Sequence, residues 1–276
     1  MISKTKALLV ISALLAAPLL NAQDQSPTPS TSAPQTVTNP ALDNARQGKD
    51  ILTKTIEALG GQRYLNFTDE EVKGRGYGFY RNEASGTGLG FHLFYKYPDR
   101  ERLEFFKKAS WVIIHNGGKG YETTFRGTMD EDPEDNAAYN RRREFALDYV
   151  LRGWLADPKT AIFYDGQSFS TTHEVYKITL MNAQNQGVTL LIDTHTYLPV
   201  RKSFSYRDPA TRDRITEEET FDEWHFEDGV NTAHKISRYK NGDIQSERFL
   251  NQVHYNVDMP DTLFIPPPGG YNLKKK

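Results

Sequence analysis

The sequence predicts an α+β fold: a curved antiparallel sheet forming an incomplete, half-open β-barrel, covered by an N-terminal helix and an inserted central helix. Three observations carry this. Residues 167–266 alternate short aromatic and β-branched stretches with loops of Asn, Asp, Gly and Pro, the pattern of a meander. A second block of such stretches occupies residues 71–125, and one helical pattern precedes each block. About eleven strands in one open twisted sheet should curl, and the apolar concave face then needs a cover.

The chain opens with Lys4 and Lys6, an apolar run over residues 7–20 and a small residue, Ala22. That is the layout of a secretory signal peptide over residues 1–22, too short to cross a bilayer as a stop-transfer helix. An uncleaved anchor is the alternative reading. Residues 23–40 are mostly Ser, Thr, Pro and Gln, a flexible tether. Residues 41–268 are expected to form one domain, and 269–276 a short basic tail.

Asn39 and Pro40 signal a helix start. Ile51, Leu52, Thr55, Ile56 and Leu59 then form one helical stripe, ended by Gly60 and Gly61. Strand patterns follow at 71–82, 88–97, 102–107, 111–116 and 119–125. Phe91, Leu93, Tyr95 and Tyr97 share one face, as do Trp111, Ile113 and His115. Val112 and Ile114 make the other face of that strand apolar too, so it should be sandwiched. Asp132, Pro133, Glu134 and Asp135 read as a helix N-terminus. The helix should run to about Leu155, polar at first and then apolar all round, hence buried. Strands are then expected near 174–181, 188–194, 198–206, 220–227, 232–240 and 245–258.

Composition excludes several function classes. The 276 residues carry a formal charge of −2, and losing Lys4 and Lys6 leaves the chain mildly acidic, with no footprint for nucleic acid. There is no cysteine, so thiol catalysis, thiolate metal sites and an N-terminal lipidated Cys are excluded. No later segment is apolar enough to span a membrane, so no transmembrane span is expected in the mature chain. Fifteen Tyr and fifteen Phe are a large supply of apolar surface.

Several segments resemble a known family. Residues 188–201, Val-Thr-Leu-Leu-Ile-Asp-Thr-His-Thr-Tyr-Leu-Pro-Val-Arg, resemble a hairpin of LolA/LolB-like periplasmic lipoprotein carriers and outer-membrane lipoprotein-sorting proteins. Residues 221–230 with 234–236 look like the next hairpin, 257–266 like the closing segment, and 51–61 like the first helix. The likeness runs from about Asp43 to Pro267 and is best from Tyr176 onward. It implies a half-open barrel closed by helices, an apolar cavity for acyl chains and a periplasmic, exported location. The acidic stretch 126–140 and the tether depart from the family, and its functional arginine maps to no particular residue here.

Signals of chemistry are sparse. The histidines at 92, 115, 173, 195, 225, 234 and 254 show no His-Glu-x-x-His helix, and for His92 with His115 no third ligand is evident. They are expected to be scattered surface or interfacial residues, so neither a metal nor a cofactor is expected. No Ser lies in a Gly-x-Ser-x-Gly elbow. The glycines at 74–78 and 86–90 lead into no helix, so bulges and sheet curvature explain them better than a phosphate cradle. The acids at 130–135 suit a solvated helix start better than a calcium loop, which Pro133 would interrupt. The arginines at 141–143 read as a solvated face pairing with Glu144 and Asp148, or as contacts for an anionic headgroup or lipoprotein partner.

These readings point to a non-enzymatic, exported carrier or sensor that buries the acyl chains of lipids or lipoproteins. Phe91, Leu93, Trp111, Ile113, Tyr176, Ile178, Leu190, Ile192 and Phe204 are candidates for the cavity wall, and Phe145, Tyr149 and Trp154 for a lid. Each can equally be plain core, because parity shows which residues share a face but not which face is concave. An envelope module that engages another protein through a sheet edge is the alternative. An exported hydrolase is a third reading, without a named catalytic set.

Overall fold

A computed structural model describes residues 39–106 and 111–267. The predicted signal peptide, nearly all of the tether and the basic tail lie outside the described residues.

Helix α1 (Pro40–Leu59) begins where Asn39 caps it, its side chain accepting from the Ala41 amide at 3.2 Å, with Pro40 in the first turn. Of the predicted stripe, Ile51, Leu52, Thr55 and Leu59 are buried. Gly60 ends the helix at φ 126°, and a Cβ there would lie 2.4 Å from the Gly229 carbonyl. Only glycine serves both the backbone angle and the close approach. Helix α2 (Gln62–Asn66) follows and buries Tyr64.

The first block forms β1 (Asp69–Tyr80), β2 (Glu83–Ala84), β3 (Leu89–Lys96), β4 (Arg100–Phe106), β5 (Trp111–Asn116), β6 (Lys119–Thr124) and β7 (Gly127–Asp130). Helix α3 (Pro133–Glu144) leads through a break at Phe145 and Ala146 to α4 (Leu147–Tyr149), which continues as a π turn over Val150–Trp154. The second block forms β8 (Ala161–Ser170), β9 (His173–Met181), β10 (Gly187–Asp193), β11 (Pro199–Arg207), β12 (Arg214–Glu227), β13 (Val230–Lys240) and β14 (Asp243–Tyr255).

All fourteen strands belong to one antiparallel sheet, in the order β7-β6-β5-β4-β3-β1-β14-β13-β12-β11-β10-β9-β8, with β2 paired to β1. Each block is a meander, and the pairing of β1 with β14 joins them in the middle. The outer edges are therefore β7 and β8, which are consecutive in the chain. Residues 131–160 must run from one edge to the other, and this places α3, α4 and the π turn across the mouth of the sheet. The edges are also where the sequence pattern is least informative: β7 is a short, partly exposed strand, and β8 starts at Ala161, six residues before the predicted meander.

Helix α1 closes one edge directly. The Asn44 amide accepts from the Tyr164 amide at 2.9 Å and donates to the Tyr164 carbonyl at 2.7 Å, as a neighbouring strand would. On the outer face, the 3-10 turn Asp261–Phe264 packs on β4 and β5, with Asp261 paired to Lys96 and Arg100 at 2.6 and 2.8 Å. Ile114 and Phe264 have no exposed surface, so β5 is covered on its outer side.

β1 bulges between Lys73 and Gly74, one of several bulges that bend the sheet. A Cβ at Gly74 would lie 2.3 Å from the Phe249 carbonyl and 2.8 Å from the Phe91 ring. Gly74→Ala is therefore expected to lower unfolding free energy by about 1–3 kcal/mol in chemical denaturation. An unchanged midpoint would mean that the bulge relaxes freely.

Candidate functional site

The concave face has two unlike halves. Over β9, β10 and β11 it is sealed. Ile178, Leu180, Val188, Leu190 and Ile192 have no exposed surface and belong to one core with Leu52 and Leu59 of α1. Phe145 lies flat on Phe204, with ring centres 4.2 Å apart at 3°, and meets Trp154 edge-on at 5.3 Å. Residues proposed from the sequence as wall (Ile178, Leu190, Ile192, Phe204) and as lid (Phe145, Trp154) thus fill one another's space. Tyr176 is half-exposed and packs beside Tyr164 and Tyr197. Tyr149 is also half-exposed, with the Arg143 guanidinium 5.9 Å from its ring.

Over β1, β3, β4, β5 and the inner faces of β12–β14 the sheet holds an open groove of three adjoining cavities. The first, about 460 Å³, is walled by Tyr77, Leu89, Phe91, Leu103, Phe105 and Trp111. Phe105 and Trp111 stack at 4.7 Å. The second, about 430 Å³, shares Leu103, Trp111, Arg238 and Arg248 with the first and adds Ile113, Arg142 and Arg143. The third, about 230 Å³, extends inward past Phe91, Leu93, Tyr95, Leu147, Trp224 and Leu250. Four predicted wall residues, Phe91, Leu93, Trp111 and Ile113, line this groove, while the other five lie in or against the sealed core.

The segment from α3 through α4 is held by charge as well as by packing. Arg143, in the last turn of α3, donates to the Pro98 carbonyl at 2.9 Å and grips Asp148 at the start of α4 and the Tyr95 hydroxyl. Burial alone would raise the Asp148 carboxyl, but Arg143 and the Tyr95 hydroxyl hold it below its ordinary value. Arg152 sits 3.7 Å over the Tyr97 ring and 4.5 Å over Phe67. The three arginines predicted to form one solvated face thus have three fates. Arg141 covers Tyr206 at 3.7 Å, Arg143 ties the lid to β3, and Arg142 lines the groove.

Arg142, Arg238 and Arg248 give the middle of the groove its character. Burial, with Arg142 and Arg248 close by, pulls the Arg238 guanidinium down to about 10. Glu219 stands near it at 3.8 Å but also takes the buried Lys202 at 2.7 Å. Burial opposes ionisation of Glu219, yet these two cations hold its carboxyl at about 2. Among the described residues, Arg142 and Arg248 form no ion pair of their own. Facing them, His115 Nε2 lies 2.8 Å from Glu131, with Glu101 at 3.8 Å and the Tyr139 ring stacked upon it. Glu131 therefore turns inward from the acidic run, whereas Asp132 caps α3. Among the described residues no hydroxyl is hydrogen-bonded to His115.

The innermost cavity holds one further acid. Burial, with Asp148 adding to it, raises the Glu70 carboxyl from 4.5 to about 7. The folded state then binds a proton that the unfolded chain has already lost between those values. The resulting stability is complete below the unfolded value and is lost as pH rises through about 7. Relative to Glu70→Gln, the parent protein should lose thermal stability between about pH 5 and about pH 8. Parallel melting curves for the two proteins would exclude this.

No protein-family model matches the chain, and no curated protein matches it in sequence. Solved structures match it in fold. A DUF1329 family protein from Desulfovibrio piger superposes with a TM-score of 0.56 at 11% identity, over 80% of this chain and 97% of its own. A putative outer membrane lipoprotein-sorting protein domain from Vibrio parahaemolyticus gives 0.50 at 11% identity, again over 80% and 97%. The chain thus shares the half-open, curved-sheet fold of these two structures, the fold its hairpins suggested.

Proposed function

We propose that the protein is an exported, periplasmic, non-enzymatic carrier or sensor of an amphiphile with an acyl tail and an anionic head, presented as a free lipid or on a lipoprotein. The observation that carries this reading is the open groove, whose apolar wall of Phe91, Leu103, Phe105 and Trp111 ends at the arginines Arg238 and Arg248. A tail lies along the aromatic wall, and the head meets the guanidiniums, where charge-assisted hydrogen bonds are strong. The sorting-protein fold supports the same reading.

The energetics suit a carrier. About twelve buried methylenes would contribute ~10 kcal/mol. Lost rigid-body freedom takes back at least ~4 kcal/mol. The balance corresponds to roughly tens of micromolar, weak enough for cargo to be handed on. Longer tails reach further only if Phe145 and Trp154 leave Phe204, so lid and cargo compete for one surface.

Displacement of a fluorescent fatty-acyl probe tests this. A long-chain carboxylate should compete, and Arg238→Gln combined with Arg248→Gln should weaken it at least about tenfold while leaving a fatty alcohol unchanged. Trp111→Ala should weaken both ligands, and Trp154→Ala should alter the affinity of the longest tails. Absence of displacement, together with lipid-free protein from the envelope, would leave the protein-interaction reading in its place.

A further inference from the structure

We infer that His225, Glu227 and His234 form a binding site for a divalent transition metal of the zinc class, separate from the groove. Their ligand atoms lie within 4.8 Å of one another, and none of the three lines a groove cavity. Strand geometry brings them together. His225 and Glu227 are two residues apart on β12, hence on one face, and His225 faces Thr232 across the ladder. His234 is then its diagonal neighbour, within reach of a long side chain.

The second observation is the state of the His234 ring. It is only 8% exposed. The ladder between β13 and β14 stops at Lys235 and Phe249, and one residue further on His234 Nδ1 lies 3.0 Å from the freed Leu250 carbonyl. A carbonyl only accepts, so Nδ1 carries the proton and donates it. Nε2 is buried and has no hydrogen-bond partner, so in the neutral ring it is a free lone pair. Glu227 Oε1 lies 3.2 Å from that nitrogen. Two acceptors so close repel unless a proton or a metal ion stands between them. Anchoring of one imidazole nitrogen on a carbonyl while the other faces a carboxylate is the arrangement that orients a histidine for a metal.

His225 completes the set. Its ring stacks on His234 at 4.2 Å and is exposed, so it can turn its nitrogen toward the ion. Ligand atoms about 2.1 Å from one zinc sit about 3.4 Å apart, so closure needs only a modest side-chain movement. Two imidazoles and one carboxylate suit Zn²⁺, and Cu²⁺ or Ni²⁺ by the same donor set. The ion would clasp the end of the β12–β13 hairpin, where Asn231 donates to the Ala58 carbonyl and Gly229 abuts Gly60. A metal there would steady the seat of α1.

The test is zinc titration of the chelator-treated full-length protein by calorimetry, with Co²⁺ absorption as a report on geometry. A single Zn²⁺ should bind, and thermal stability should rise with it. His225→Ala and Glu227→Gln should each weaken binding by at least the ~10–100-fold that losing even an outer partner costs. Neither surface change threatens the core, and His195→Ala should leave binding intact. Absence of saturable binding would overturn the site and leave a proton shared between His234 and Glu227. Equal affinity in the His225→Ala and Glu227→Gln variants would overturn it as well.

Discussion

A curved sheet of fourteen strands has more concave surface than its own helices can cover, and the rest of the structure follows from that shortage. Fixed strand spacing and twist make so wide an open sheet bend, and bending gathers inward-facing side chains toward a common axis. Helix α1 and the segment from α3 to Trp154 offer one apolar surface between them. It seals β9 to β11 and leaves β3 to β5 and the inner parts of β12 to β14 facing a groove. The division is one of chemistry as well as area, because the covered half packs aliphatic and aromatic side chains together, whereas the uncovered half mixes aromatic rings with arginines and carboxylates.

That mixture explains why the open half does not simply collapse. Arg142, Arg238 and Arg248 share a partly desolvated space with Glu101, Glu122, Glu131, Asp135 and Glu219, yet among the described residues only Arg238 has one of these carboxylates, Glu219, within 4 Å. Covering these arginines fully would strip their hydration while leaving Arg142 and Arg248 without a carboxylate in contact, which costs several kcal/mol per charge. On the other side of the lid, Arg143 is satisfied by Asp148 and Tyr95, and that pairing fixes where the covered half ends. Charge placement thus sets the boundary between core and cavity.

The sheet and its helices were largely legible because they rest on local patterns. The Asn39–Pro40 start, the Gly60–Gly61 stop and strand alternation are short-range signals, and each has a direct counterpart in the structure. The break at Phe145 and Ala146 was not legible, since apolar residues on every side conceal where a helix changes direction. The groove was half legible. Parity put Phe91 with Leu93 and Trp111 with Ile113, but only the pairing of β1 with β14 decides which half of the barrel the helices cover. Ile178 and Leu190 read the same as Phe91 in sequence, and the difference lies in what packs on them. Arg238 and Arg248 escaped notice because they lie on neighbouring strands, where only register makes them neighbours. The His225, Glu227 and His234 cluster was within reach, because a two-residue spacing on a hairpin is a periodicity argument that needs no tertiary contact.

Central to the proposed function is that the open groove along Phe91, Phe105 and Trp111, and not the sealed half around Ile178 and Phe204, receives the cargo. Photo-crosslinking with a long-chain carboxylate bearing a diazirine in its tail, followed by peptide mass spectrometry, tests it most directly. Adducts on Tyr77, Phe91, Phe105 or Trp111 are expected. Labelling confined to Ile178, Leu190 and Phe204, or spread evenly over the outer surface, would contradict the account.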